Sequence, residues 1–243
     1  MGRPKISVIV PVFNGARTLE TSLHSVWTQT YQAYELLVID GASTDGTLSI
    51  LQANKERIHV WVSEPDKGVY DAINKGIERA KGEWIFILGS DDVLAEQDVL
   101  ERMAKHLLDN KLLFFGNVRN LHTKQSMVKE LHTSSLGMEI YIRNTLHQQS
   151  AFYNSRLFDN TLFDTSLRVL GDYDFHLSLY QRGIRGEHVD LLVARCDASG
   201  LSKQFNWALY REELWMKRKR IGLLATTLLS PLIVAKFLFK QLK

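Results

Sequence analysis

Two adjacent carboxylates, Asp91 and Asp92, follow the apolar run Trp84-Ile85-Phe86-Ile87-Leu88 and its Gly89-Ser90 turn. Like charges so close repel, and burial raises their pKa values unless a cation stands beside them. A divalent ion resolves that conflict, and hard carboxylate oxygens suit Mg²⁺ or Mn²⁺ rather than zinc. Such an ion screens a diphosphate and stabilises it as a leaving group. The competing reading is a helix cap, because Asp is a frequent N-cap. Asp40, in Val38-Ile39-Asp40-Gly41-Ala42-Ser43-Thr44-Asp45-Gly46, is expected to face a ligand and accept hydrogen bonds from a nucleobase or ribose. Asp45 in the same stretch reads as structural, capping the next helix. A third candidate is Asp172 in Gly171-Asp172-Tyr173-Asp174, placed to take a proton from an attacking hydroxyl. By its segment alone, a cap is the better reading of Asp172. The eight histidines form no HExxH pair, so zinc hydrolase chemistry has no support. His147-Gln148-Gln149 offers a polar pocket wall, and His188 reads as solvated or satisfied in the core.

These residues need elements to hold them. Residues 6–10, apolar except for Ser7 and largely β-branched, form a run before Pro11, the pattern of a strand covered on both faces. Further strands are expected at 36–39, 60–62 and 84–88. Helices are expected at 18–27, 46–54, 69–80 and 99–108, with Gly82 as a stop signal. Strand and helix alternating at this spacing imply parallel strands joined by right-handed crossovers. Ligands in such sheets sit beyond the carboxyl ends of the strands. Asn14, Asp40, Asp66-Lys67 and Asp91-Asp92 all fall there. In the second half, strands are expected at 112–115, 151–153 and 189–194, and helices at 173–181 and 207–220.

The chain has 243 residues, 45% of them hydrophobic and 23% charged, ordinary for a globular protein. A net charge of +3 is too small to argue for nucleic acid. The single cysteine, Cys196, excludes an internal disulfide and any Cys-based zinc site. The five residues 6–10 before Pro11, four of them apolar, are too few for a signal peptide core, so export is not expected. Lys217-Arg218-Lys219-Arg220 precedes an apolar run over 221–239 interrupted by Lys236. Fifteen residues at ~1.5 Å each cover only about 22 Å, short of a ~30 Å hydrocarbon core. The tail is therefore expected to lie in an interface, with the four cations on an anionic membrane surface. A marginal transmembrane helix is the runner-up.

With these residues in hand, the chain resembles glycosyltransferase family two, whose fold is the GT-A nucleotide-diphospho-sugar transferase fold. The resemblance rests on Ser7-Val8-Ile9-Val10-Pro11-Val12-Phe13-Asn14, on residues 38–47 and 63–76, on 88–92, on His147-Gln148, and on Gly171-Asp172-Tyr173-Asp174. It implies an α/β fold with a mostly parallel central sheet flanked by helices, ending in a C-terminal apolar helix. Residues 1–205 would be the catalytic domain and 206–243 a helical, membrane-associating tail. By the resemblance, Pro11, Phe13 and Asn14 line the nucleobase pocket and Asp40 binds the base. Asp66 and Lys67 lie near the ribose and donor. Asp91 and Asp92 take the place of the DxD-type motif at ribose and metal, and Asp172 that of the base. Gly171 stands where the family has an acidic residue, and Gly89 where many relatives have Asp or Asn. The implied activity is inverting transfer from a nucleotide-diphospho-sugar, with Mn²⁺ or Mg²⁺, to the hydroxyl of a glycan acceptor carried on a lipid. The implied setting is bacterial surface polysaccharide synthesis on the cytoplasmic face of the plasma membrane.

Two rivals differ in kind. A nicotinamide oxidoreductase would carry Gly-x-Gly-x-x-Gly after the first strand, where this chain has Pro11-Val12-Phe13-Asn14-Gly15. A catalytically inactive, membrane-associated module that binds a nucleotide sugar would not need Asp91, Asp92 and Asp172 together.

Overall fold

The computed structural model describes residues 6–107, 111–121, 129–197 and 206–241. Four parallel strands, β1 (Ile6–Val12), β2 (Tyr34–Asp40), β3 (Val60–Ser63) and β4 (Trp84–Ile87), stand in the order β3-β2-β1-β4. Helices α1 (Leu19–Trp27), α2 (Thr47–Ala53) and α3 (Val69–Arg79) connect them. All seven residues of β1 are buried. Its side chains alternate between two cores, as the period of two requires. Val8 and Val10 pack with Leu19, Leu23 and Val26 of α1, while Ile9 packs with Ile73 and Ile77 of α3. That double coverage explains why β1 and β2 read as unbroken apolar runs.

Beyond β4 the sheet changes character. The short β5 (Val93–Leu94) leads into α4 (Val99–Ala104), then β6 (Leu113–Leu121), β7 (Leu131–Thr133), β8 (Ala151–Asn154), α5 (Gly171–Gln181) and β9 (Glu187–Asp197). Strand β8 inserts antiparallel between β4 and β6, β9 lies parallel to β6, and β5 closes the edge against β9. The β5–β9 pairing matters for chemistry, because it fixes the segment just after Asp91 and Asp92.

The last element departs from the sequence expectation. Helix α6 (Trp207–Gln241) breaks at Gly222, whose φ of 82° and ψ of 169° belong to glycine alone among ordinary residues. The two arms fold back on each other. Phe237 meets Trp207 at 5.1 Å and Tyr210 at 5.5 Å between ring centroids. In a straight helix residues 207 and 237 would stand about 45 Å apart.

The basic run is also not where it was expected. Lys217 is buried, donating to Glu213 at 2.7 Å and to the Ile142 carbonyl at 2.9 Å. Lys219 pairs with Asp164 at 2.5 Å, and Arg220 forks onto Asp174, its Nε–Oδ1 contact being 2.6 Å. Acidic partners on α5, on the preceding loop and one turn back in α6 pair with three of the four cations, burying Lys217 and half-burying Arg220 while Lys219 stays exposed. Of the run, Arg218 keeps an exposed position without an ion-pair partner among the described residues.

Candidate active site

A cleft of about 890 Å³ opens at the carboxyl ends of the four parallel strands. Each strand end contributes: Pro11 near the end of β1 and Phe13 just after it, Gly41 after β2, Asp66 and Lys67 after β3, and Gly89, Ser90 and Asp91 after β4. The far wall comes from the second half of the chain, through Gln148, Gln149 and residues 165–169. Phe13 is 62% exposed, a flat apolar face held open to the cleft. The Asp66-Lys67 loop is tied down from α3, where Lys75 Nζ bonds the Pro65 carbonyl at 2.9 Å and Glu64 at 3.0 Å. Asp66 Oδ1 accepts the Gly68 N–H at 2.8 Å, and its other oxygen lies against Gly41, leaving no room there for a side chain.

The adjacent carboxylates part company. Asp91 lines the cleft, whereas Asp92 is 5% exposed and its Oδ1 accepts the Asp197 N–H at 3.1 Å. Asp92 thus anchors the end of β9. Burial, reinforced by the nearby Asp197 charge, raises the Asp91 carboxyl above the ordinary carboxylate range, with Arg17 opposing. Both carboxylates crowd Gly89: Asp91 Oδ1 is 2.9 Å from where a Cβ would stand, and Asp92 is closer still. Among the described residues no three acidic, histidine or cysteine side chains converge as a ready-made metal cage. One carboxylate on a diphosphate-sized cleft still fits Mg²⁺ or Mn²⁺, which take most remaining ligands from substrate phosphates and water.

Asp40 and Asn14 are not brought to the cleft lining. Asp40 is fully buried, and its carboxylate accepts the Ser43 N–H at 3.1 Å, the Ser43 hydroxyl, and the Ser63 hydroxyl at 2.6 Å. It staples the ends of β2 and β3 beneath the cleft. Asn14, at φ 51°, locks the first loop to the second: its N–H donates to Ser43 Oγ at 2.7 Å and its Oδ1 accepts the Thr44 N–H at 2.9 Å. Asp45 is structural as expected, accepting the Thr47 N–H at 2.9 Å and the Ala16 N–H at 3.0 Å.

Asp172 opens α5 behind the 165–169 wall. Asn144 Nδ2 donates to its Oδ2 at 3.0 Å, and the Tyr70 hydroxyl reaches its Oδ1 at 3.3 Å. Tyr70 itself lines the cleft, so the carboxylate stands one side chain from the cavity. Burial, then the Asp172 charge, raises the Tyr70 hydroxyl far above its usual value, so it stays protonated. Sequence reasoning gave no role to Tyr70 or to Arg168, an exposed cation on the far wall. Their signal was proximity alone: Arg168 lies four residues before Asp172, and Tyr70 four after Asp66. His188 bonds Asn117 at 3.0 Å on the surface and takes no part.

Residues 7–188 match the family described as Glycosyl transferase family 2. A putative teichuronic acid biosynthesis glycosyltransferase of Bacillus subtilis, TuaG, is 37% identical over 224 residues, 86% of this chain and 88% of that protein. A PGL/p-HBAD biosynthesis glycosyltransferase of Mycobacterium bovis is 34% identical over 186 residues, 74% of this chain and 71% of that protein. Among solved structures, TarS 1-349 of S. aureus in complex with UDP-GlcNAc superposes with a TM-score of 0.69 at 21% identity. The superposition covers 87% of this chain and 65% of that one. The mannosyltransferase PcManGT of Pyrobaculum calidifontis, with GDP-Man and Mn²⁺, gives 0.63 at 22% identity, covering 88% and 61%. At these identities the likeness speaks for the GT-A fold and no further.

Proposed function

The chain belongs to glycosyl transferase family 2, and from that premise we propose that it moves a sugar, with inversion, from a nucleotide diphosphate to an acceptor hydroxyl in its strand-end cleft. The observation that carries this reading is the meeting of Phe13, Asp66 and Asp91 along one cavity, with Asp172 one tyrosine behind its wall. Phe13 and Pro11 offer the nucleobase a stacking surface, and Asp66 offers the ribose hydroxyls an acceptor. Lys67 and Arg168 supply positive charge on opposite walls for the diphosphate. Asp91 is the residue to hold Mn²⁺ or Mg²⁺, and the ion when bound screens the departing diphosphate. Asp172 takes the proton of the acceptor hydroxyl as its oxygen bonds the anomeric carbon. On the opposite face the bond from that carbon to the diphosphate breaks, so the configuration inverts.

The names of the relatives, teichuronic acid and PGL/p-HBAD biosynthesis, support an acceptor in bacterial cell-surface glycan assembly, and we read that acceptor as carried on a lipid. We read 1–205 as the catalytic unit and 206–243 as the part that meets an anionic membrane surface from the cytoplasmic side. The second arm of α6 supports this, since Leu223, Leu224, Leu228 and Leu232 are each more than half exposed. Long apolar surfaces of that kind mark interaction sites. The reversal at Gly222, and Lys236 bonded to the Ile142 carbonyl, favour an arm lying on the membrane over one crossing it. A panel of UDP-, GDP- and dTDP-sugars, assayed with Mn²⁺ and with EDTA, tests the proposal. Metal-dependent release of nucleoside diphosphate from one donor is expected. Binding without turnover for every donor would favour the inactive binding module instead.

A further inference from the structure

Resting on the reading of Asp172 as the base, we propose that Asn144 and Tyr70 are its positioning residues, Asn144 anchoring Oδ2 so that Oδ1, on the Tyr70 side, takes the proton. The two partners differ in chemistry. An amide NH₂ only donates, so Asn144 binds Oδ2 as a carboxylate oxygen. A hydroxyl donates or accepts, so Tyr70 can face Oδ1 before and after protonation. Its one proton is shared between ionised Oδ1 and the Val169 carbonyl, 2.6 Å away, and goes to the carbonyl once Oδ1 is protonated and can itself donate to the tyrosine oxygen.

Neither partner is free to wander. The Tyr70 ring stacks on Phe163 at 5.8 Å and 16°. It also lies so close to Gly171 that a Cβ there would stand 2.7 Å from two ring carbons. The absence of a side chain at 171, directly before the base, is what lets this ring reach in. Asn144 is more telling. Its amide oxygen is buried without a hydrogen-bond partner, so its nitrogen, on Asp172, is what orients the group. Tyr70 from α3 and Tyr153 from β8 both feel the Asp172 charge. Glu212 of α6 bonds the Val169 and Leu170 N–H groups.

The test uses the full chain with Asn144→Ala, Asn144→Asp, Tyr70→Phe and Asp172→Asn. Carbon-13 titration of the Asp172 carboxyl, assigned by its loss in Asp172→Asn, needs no substrate. Removing the Asn144 donor should move that titration to higher pH, and Asn144→Asp should move it further through like-charge repulsion. On the most active donor of the panel, both Asn144 variants should lose ~10- to 10²-fold in kcat with donor KM unchanged, the scale of a misplaced catalytic group. Asn144→Asp should be the worse of the two, and Tyr70→Phe, which keeps the ring on Gly171, should lose kcat in the same range. An Asp172 titration identical to wild type in both Asn144 variants would overturn the inference. So would full kcat in Asn144→Asp. Full turnover in Asp172→Asn would instead sink the assignment of the base itself.

Discussion

At the scale of single residues, the adjacent acids show how one motif divides its labour. Asp91 faces the cleft and Asp92 holds the Asp197 N–H, so their amide variants should fail differently. Asp91→Asn should raise the Mn²⁺ needed for half-maximal turnover by more than the ~10- to 100-fold typical of losing a residue that merely orients a metal ligand. Its melting temperature should barely move. Asp92→Asn keeps an acceptor for that N–H but loses its charge, and should cost about 1 kcal/mol of stability, the difference between a charge-assisted and a neutral hydrogen bond. Melting curves beside metal titrations check both; the reverse pattern would exchange the two roles. The pair was legible in the sequence as a pair, because a strand ends there. Which member faces the ligand was not, since β9 is more than ninety residues away in the chain. Asp40 teaches the same lesson. Its position at a strand end was readable, but one of its partners, the Ser63 hydroxyl at the end of β3, is brought to it only by the pairing of β2 with β3.

At the scale of elements, the parallel half was plain because its strands are apolar on both faces and its helices show a single buried stripe. Gly222 was the hidden feature. It sits near the start of a run whose more conspicuous interruptions, Pro231 and Lys236, leave the helix intact, and the contacts of Phe237 with Trp207 and Tyr210 reveal the reversal. Helix α5 carries a pH signature of its own. His176 is fully buried with Nε2 2.7 Å from the Tyr153 hydroxyl, and burial lowers its pKa to about 3. An unfolded histidine titrates near ~6.5. Between those values the unfolded chain binds the extra proton, so stability is complete above about pH 6.5 and declines as pH falls toward 3. The slope from this one group is at most ~1.4 kcal/mol per pH unit. His176→Gln should flatten the melting profile between pH 6.5 and 4. An unchanged slope there would mean that the acid sensitivity arises elsewhere.

At the scale of the whole molecule, catalysis and membrane attachment are proposed to occupy separate ends. The donor cleft draws on residues 11–169, whereas the exposed leucines of α6 follow Gly222. Removing residues 223–243 should abolish flotation with anionic liposomes while donor binding persists. High salt should weaken flotation only partly, because apolar insertion is not screened. Truncated protein that still floats, or that loses its donor, would make the second arm part of the catalytic unit. The central claim, a single displacement with Asp172 as base, is tested most directly by the anomeric configuration of the first product. Proton NMR of early turnover on the donor and acceptor that wild type uses should show the configuration opposite to that of the donor sugar. A product that keeps the donor's configuration would contradict the account, because one in-line attack from the far face of the sugar cannot retain it.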